Sequence, residues 1–127
     1  MEKTITIDGR DVRFKSTGAT PLRYKAQFRK DFFTEVLKLA QLEKLKDIEK
    51  KKNIRIEDFE GLDFEVFYNI AWTMAKTADK DIPDPMSWLD EFDEFPMIEI
   101  VPELFGMAIA SLQSKKKQME SKMKVVK

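Results

Sequence analysis

Apolar and polar positions alternate at the start of the chain and then change period. Ile5 and Ile7 alternate with Thr4 and Thr6, and Val12 and Phe14 alternate with Arg13 and Lys15. A period of two predicts two strands, and Asp8-Gly9 between them predicts the turn of a β-hairpin over residues 3–15, because Gly accepts positive φ without strain. One face of the pair is apolar. An isolated hairpin is marginal in water, so that face must rest on helices.

From residue 20 the period becomes helical. Thr20-Pro21 predicts a helix start, with Thr as N-cap and Pro in the first turn. The short basic segment Leu22-Arg23-Tyr24-Lys25-Ala26-Gln27-Phe28-Arg29 follows. Asp31 offers a second cap, so a bend is expected near Lys30. The next helix is expected from Phe32 to about Lys51, with Phe33, Val36, Leu37 and Ala40 as its core stripe and Leu42, Leu45 and Ile48 continuing more weakly. A connector over residues 53–62 precedes the most apolar stretch of the chain. There Leu62, Val66, Phe67, Ile70, Ala71, Met74, Ala75 and Ala78 form one stripe, and Phe64, Tyr68 and Trp72 a second. Two stripes wrap most of a helix, so this one is expected to be buried on several sides. Asp63 is its preferred cap and Asp58 the alternative. Pro83 and Pro85 forbid its continuation. Asp84-Pro85 reads as cap and first position of a short helix, Met86 to Phe92. After Pro96 a face of Ile98, Val101, Phe105, Ala108, Ile109 and Leu112 predicts a last helix, which Pro102 should kink or divide. Past Ser114 the apolar positions thin out. Residues 1–114 are therefore expected to form a single domain, and 115–127 a basic tail that is a fraying helix end or disordered.

These elements place the chain in the α+β class: an N-terminal β-hairpin packed on a mostly helical bundle of about five helices. The 127 residues suffice for one core. Apolar residues make up 43% of the chain and the formal net charge is zero, which excludes a highly charged disordered chain. No apolar run has the length of a membrane-spanning helix, and the first residues lack the apolar core of a signal peptide. A cytoplasmic protein is the default expectation.

Zero net charge conceals segregation. Residues 10–55 carry fourteen Lys/Arg against six Asp/Glu. Residues 56–103 carry two cations against fourteen acids, and residues 104–127 carry six Lys against one acid. Either the blocks neutralise one another within the fold, or they give the molecule a basic and an acidic face that meets other molecules head to tail.

Candidate chemistry is sparse. The chain has neither His nor Cys, which removes the commonest general base and the thiolate nucleophile or ligand. Counted as a calcium loop from Asp79, position 3 is Asp81 and position 12 is Asp90, but position 5 is Pro83 and position 6 is Asp84 instead of Gly. That segment reads as a cap and turn, and no metal or cofactor is expected. Arg23, Lys25, Arg29 and Lys30 interleaved with Tyr24 and Phe28 give a weak case for nucleic-acid binding, which the fourteen acids of the middle block oppose. Fourteen aromatics and seven Met favour a protein partner instead. The neighbourhood of Trp88, Phe92 and Phe95, with Arg23 and Arg29, is the nominated contact surface, although Trp88 taken alone reads rather as a plug of the core.

Several segments carry a family resemblance. They are Pro21-Leu22-Arg23-Tyr24-Lys25-Ala26-Gln27-Phe28, Lys30-Asp31-Phe32-Phe33, Phe67-Tyr68-Asn69-Ile70-Ala71-Trp72, Ala75-Lys76-Thr77-Ala78-Asp79 and Pro83-Asp84-Pro85-Met86-Ser87-Trp88-Leu89. In this order, over about residues 3–112, they resemble the tail assembly chaperones of long-tailed phages and prophages of Gram-positive bacteria. The resemblance implies a non-catalytic protein that binds the tape measure protein in the host cytoplasm, keeps it soluble, helps recruit tail tube subunits, and is absent from the finished virion. It also implies a homo-oligomer and a longer form made by ribosomal frameshifting, for which the codons of Lys115-Lys116-Lys117 are the candidate site. The alternative reading is a small basic-helix regulator that binds nucleic acid.

Overall fold

The computed structural model describes the backbone of residues 1–126 and the side chains of residues 1–112. Strands β1 (Glu2–Ile7) and β2 (Arg10–Lys15) pair antiparallel, with Ile5 opposite Val12 and Lys3 opposite Phe14. Both turn residues have positive φ, Asp8 at 53° and Gly9 at 76°, which matches the right-handed twist of the strands. Ile7, Val12 and Phe14 are buried on the inner face. Two cations end that face and reach the acidic block. Lys3 Nζ lies 2.6 Å from Glu103, and Arg10 lies 3.1 Å from Glu91 with its guanidinium over the Phe92 ring.

Helix α1 (Thr20–Phe28) starts one residue earlier than a Thr20 cap would place it. Ala19 is the N-cap, and the buried Thr20 hydroxyl accepts instead from the Thr17 N–H at 2.8 Å. The helix ends on Arg29 in the left-handed region, φ 59°, and the chain turns there as expected. Asp31 then caps α2 (Phe32–Gln41), accepting from the backbone and hydroxyl of Thr34. A 3-10 turn (Leu42–Lys44) joins α2 to α3 (Leu45–Glu49), so the path from Phe32 to Glu49 is nearly continuous.

The core stripe of this path differs from the expected one. Phe32, Val36, Leu39, Leu42, Leu45 and Ile48 are buried, whereas Phe33 and Leu37 face solvent. The buried residues from Leu39 on recur every third position. An α-helix would carry such a row around its circumference; the tighter 3-10 turn over Leu42–Lys44 holds the step from Leu42 to Leu45 in line.

Helix α4 (Glu65–Ala78) is the centre of the molecule, touching β2, α1, α2, α5 and α6. Val66, Phe67 and all of Asn69 to Ala75 are buried, which bears out burial on several sides. Of the two expected stripes, Leu62, Tyr68 and Ala78 are only partly buried, and Phe64, just before the helix, is the most exposed. The expected Asp63 cap is not formed: Phe64 is the N-cap and has no side-chain cap bond, while Asp63, one residue earlier, accepts from the Glu65 N–H at 3.1 Å. Helix α5 (Pro85–Leu89) begins as expected on an Asp84 cap that accepts from Ser87, but it stops at Leu89, short of Phe92. Helix α6 (Met97–Val126) passes through Pro102 without dividing. It buries Ile100, Val101, Leu104, Met107 and Ala108, while Phe105, Ile109 and Leu112 pack only partly. The expected boundary at Ser114 and the basic tail fall where side chains lie outside the described residues.

The architecture is thus an α+β fold with an N-terminal hairpin on a helical bundle. Among the described residues no helix is long and apolar enough to cross a membrane.

Candidate functional site

The nominated aromatic surface is part of the core. Trp88 is 2% exposed and Phe92 8%, and Phe95 is partly buried. The three rings meet edge to face, with centroids 5.4 Å (Trp88–Phe92), 5.5 Å (Trp88–Phe95) and 5.3 Å (Phe92–Phe95) apart. Phe14 from the hairpin and Phe67 from α4 close the cluster. Local sequence explains the inward turn. The Asp84 cap fixes the start of α5, so Trp88 falls on the face that packs against α4. In this conformation Trp88 and Phe92 offer no contact surface to a partner. Of the two readings for Trp88, the core plug is the one the fold adopts.

Arg23 and Arg29 are exposed on α1 and at its end, and no contact joins them to the aromatic cluster among the described residues. Arg23 lines a groove of about 260 Å³ between α1 and α4 with Gln27, Trp72, Thr73 and Lys76. Tyr24 is buried and Phe28 packs on it and on Trp72, so neither ring stands among the cations of α1 to stack on a base.

A buried polar contact holds α1 to α2. The Tyr24 hydroxyl donates to Glu35 Oε1 at 2.6 Å, and Lys38 Nζ sits 3.3 Å from the other oxygen. Burial, reinforced by the hydrogen bond to the Glu35 carboxylate and by its charge, pushes the Tyr24 phenol far above its ordinary range. Glu35 interrupts the apolar stripe of α2 with a carboxylate, and the facing Tyr24 hydroxyl and the Lys38 ammonium together make its burial tolerable.

The acidic segment after α4 is occupied with structural work. Lys76 Nζ donates to the carbonyls of Lys80 and Ile82, and the Trp72 indole donates to the Pro83 carbonyl at 2.7 Å. Asp79 accepts from the Asp81 N–H, and Asp84 caps α5. The Ser87 hydroxyl and backbone N–H, both bonded to Asp84, hold its carboxyl below the usual range. Thr34 does the same for Asp31, and Lys51 for Asp58. Among the described residues no cluster of three acids could hold a metal ion.

What the surface does offer is apolar. Phe33 and Leu37, one turn apart on the outer face of α2, are 58% and 55% exposed. Along the connector Ile54 is half exposed, Ile56 is 84% exposed, and Phe59 and Phe64 are partly exposed. A groove of about 450 Å³ opens beside Phe64 between α3 and the start of α6, lined also by Leu45, Met97 and Ile98. An ion pair at 3.7 Å from Lys38 to Asp63 ties α2 to the end of the connector. Sequence patterning missed Phe33 and Leu37 because their spacing is as helical as that of the residues actually buried. The signal available was the run Phe32-Phe33 beside Val36-Leu37, which gives one short helix two apolar faces when its neighbours can cover only one.

Compared with protein-family models, curated proteins and solved structures, the chain finds no match.

Proposed function

We propose that this chain is a non-catalytic assembly chaperone of long-tailed phages and prophages. It binds the tape measure protein in the host cytoplasm, keeps it soluble, helps bring tail tube subunits to it, and leaves before the virion is complete. The proposal includes self-association and a frameshifted longer form. The resemblance of residues 3–112 supplies the identity of the partners. The observation that carries the mode of action is the set of large apolar side chains left on the surface at Phe33, Leu37, Ile54 and Ile56. Phe33 and Leu37 lie one turn apart on α2, and an exposed apolar helix face suits a helical, apolar partner.

Co-expression with a fragment of the tape measure protein tests the reading. The fragment is expected to stay in the soluble fraction and to co-purify with the chain at a fixed ratio. A fragment that precipitates equally with and without the chain contradicts it. Retention of the pure protein on DNA at low salt, lost at high salt, would favour a nucleic-acid-binding regulator instead.

A further inference from the structure

The groove between α3 and the start of α6 sets two carboxylates beside an apolar lining. Leu45, Phe64, Met97 and Ile98 line it together with the exposed carboxylates of Glu49 and Glu99. Neither carboxylate has an ion-pair partner among the described residues. Other exposed acids, Glu43, Asp47 and Glu94 among them, are also without an ion pair among the described residues; what sets Glu49 and Glu99 apart is their place beside the apolar lining of one groove. The unmet pair selects for an occupant that is apolar and carries cations beside its apolar groups.

The chain itself ends in such a segment. Residues 113–127 hold six lysines and one acid, Glu120. Met119, Met123 and Val126 recur at i, i+4 and i+7, the spacing of one helix face, and Met adapts its shape to an irregular groove. The segment is out of reach of its own groove while α6 stays helical. Met97 and Ile98 stand in the first turn of a thirty-residue helix. At the rise of an α-helix its far end lies about 45 Å away.

We propose that residues 113–127 of one copy dock as a basic amphipathic helix in the α3–α6 groove of a second copy. The contact is heterologous, so each copy keeps a free groove at one end and a free tail at the other, and copies add in series. The two groove carboxylates and the lysine tail thereby give part of the segregated charge a structural use. This inference deepens the self-association named above and is independent of binding to the tape measure protein.

Charge reversal in the full-length chain tests it. One variant carries Glu49→Lys and Glu99→Lys in the groove; a second carries Lys115→Glu, Lys116→Glu and Lys117→Glu in the tail. Sedimentation velocity on the wild type should show species larger than a monomer that shrink as salt rises. Each variant alone should associate at least about ten-fold more weakly, and an equimolar mixture of the two should recover the larger species. A labelled peptide of residues 113–127 should bind the wild-type chain saturably and the groove variant poorly, which keeps the test decisive even if a variant fails to fold. A wild type that is monomeric throughout overturns self-association and the docking with it. A wild type that associates while both variants retain its mass, or a peptide whose anisotropy never changes, overturns the docking alone.

Discussion

Trp88→Ala separates a core role from a partner-binding role more sharply than any other single substitution. The indole is 2% exposed and meets Phe14, Phe92 and Phe95 edge to face at centroid distances of 6.5, 5.4 and 5.5 Å. Burying an aromatic side chain removes about 200 Å² from water, worth about 5 kcal/mol at 25 cal/mol per Å². Edge-to-face pairs contribute about 0.5–1.5 kcal/mol each beyond area, although three pairs sharing one ring do not add. Set against the observed range for aromatic truncations, the expected loss is about 4–5 kcal/mol. A domain of this size has roughly 6–15 kcal/mol in all, so the variant should keep a folded population but melt far earlier. Urea titration followed by far-ultraviolet circular dichroism reads the loss as a lower midpoint at unchanged slope. Leu22→Ala, at a side chain left largely in solvent, is the control and should lie within about 0.5 kcal/mol of the wild type. A Trp88→Ala loss under about 1 kcal/mol would refute the packing argument and return Trp88 to the surface.

Trp72→Phe keeps the ring in α4 but removes the hydrogen bond to the Pro83 carbonyl; a loss of about 1 kcal/mol is expected, with faster proteolysis within residues 79–83 as the local readout. Tyr24→Phe leaves the buried Glu35 carboxylate without its hydroxyl donor and should cost about 1–3 kcal/mol at neutral pH by urea titration. Because folding raises the Tyr24 pKa, its contribution is complete below the unfolded value near 10 and fades as pH rises above it. The wild-type advantage over Tyr24→Phe should therefore narrow on raising the pH through 10–11, and an advantage that grows there would contradict the burial of a neutral phenol. Asp31, Asp58 and Asp84 have the opposite sign: their folded values are depressed, so their contribution is present above about pH 4 and is lost as pH falls through the folded values. Melting temperatures of Asp31→Ala and Asp84→Ala should fall below the wild type at pH 7 and converge on it near pH 2.

The features legible in the sequence were those set by local chemistry. The Asp8-Gly9 turn, the Asp31 and Asp84 caps and the burial of the central helix each follow from a few adjacent residues. Helix phase was harder. On α2, Phe32 and Phe33 compete for the core one position apart. The choice is made by Tyr24, whose ring lies 5.4 Å from Phe32 and whose hydroxyl takes Glu35 inward. That contact joins two helices, and no periodicity within either one contains it. The candidate surface suffered the same ambiguity. Trp88, Phe92 and Phe95 have the composition of a contact patch, but an aromatic cluster closing a core has the same composition. Burial alone separates the two, and it moved the exposed apolar surface to Phe33, Leu37 and the connector. Charge segregation was visible as a count, yet its pairing was not. Arg10–Glu91, Lys38–Asp63 and Lys51–Asp58 join the basic and acidic blocks within one molecule, while Glu49 and Glu99 at the groove are left unmatched.

Co-purification of a tape measure fragment with the wild-type chain and with a Phe33→Ser, Leu37→Ser variant reads the proposed mode of action at the residues that carry it. Both side chains are exposed, so the variant should keep the wild-type circular dichroism and melting temperature. The account predicts that the wild type holds the fragment in solution and that the variant releases it to the pellet. Equal retention of the fragment by both proteins, or its precipitation with both, would contradict it.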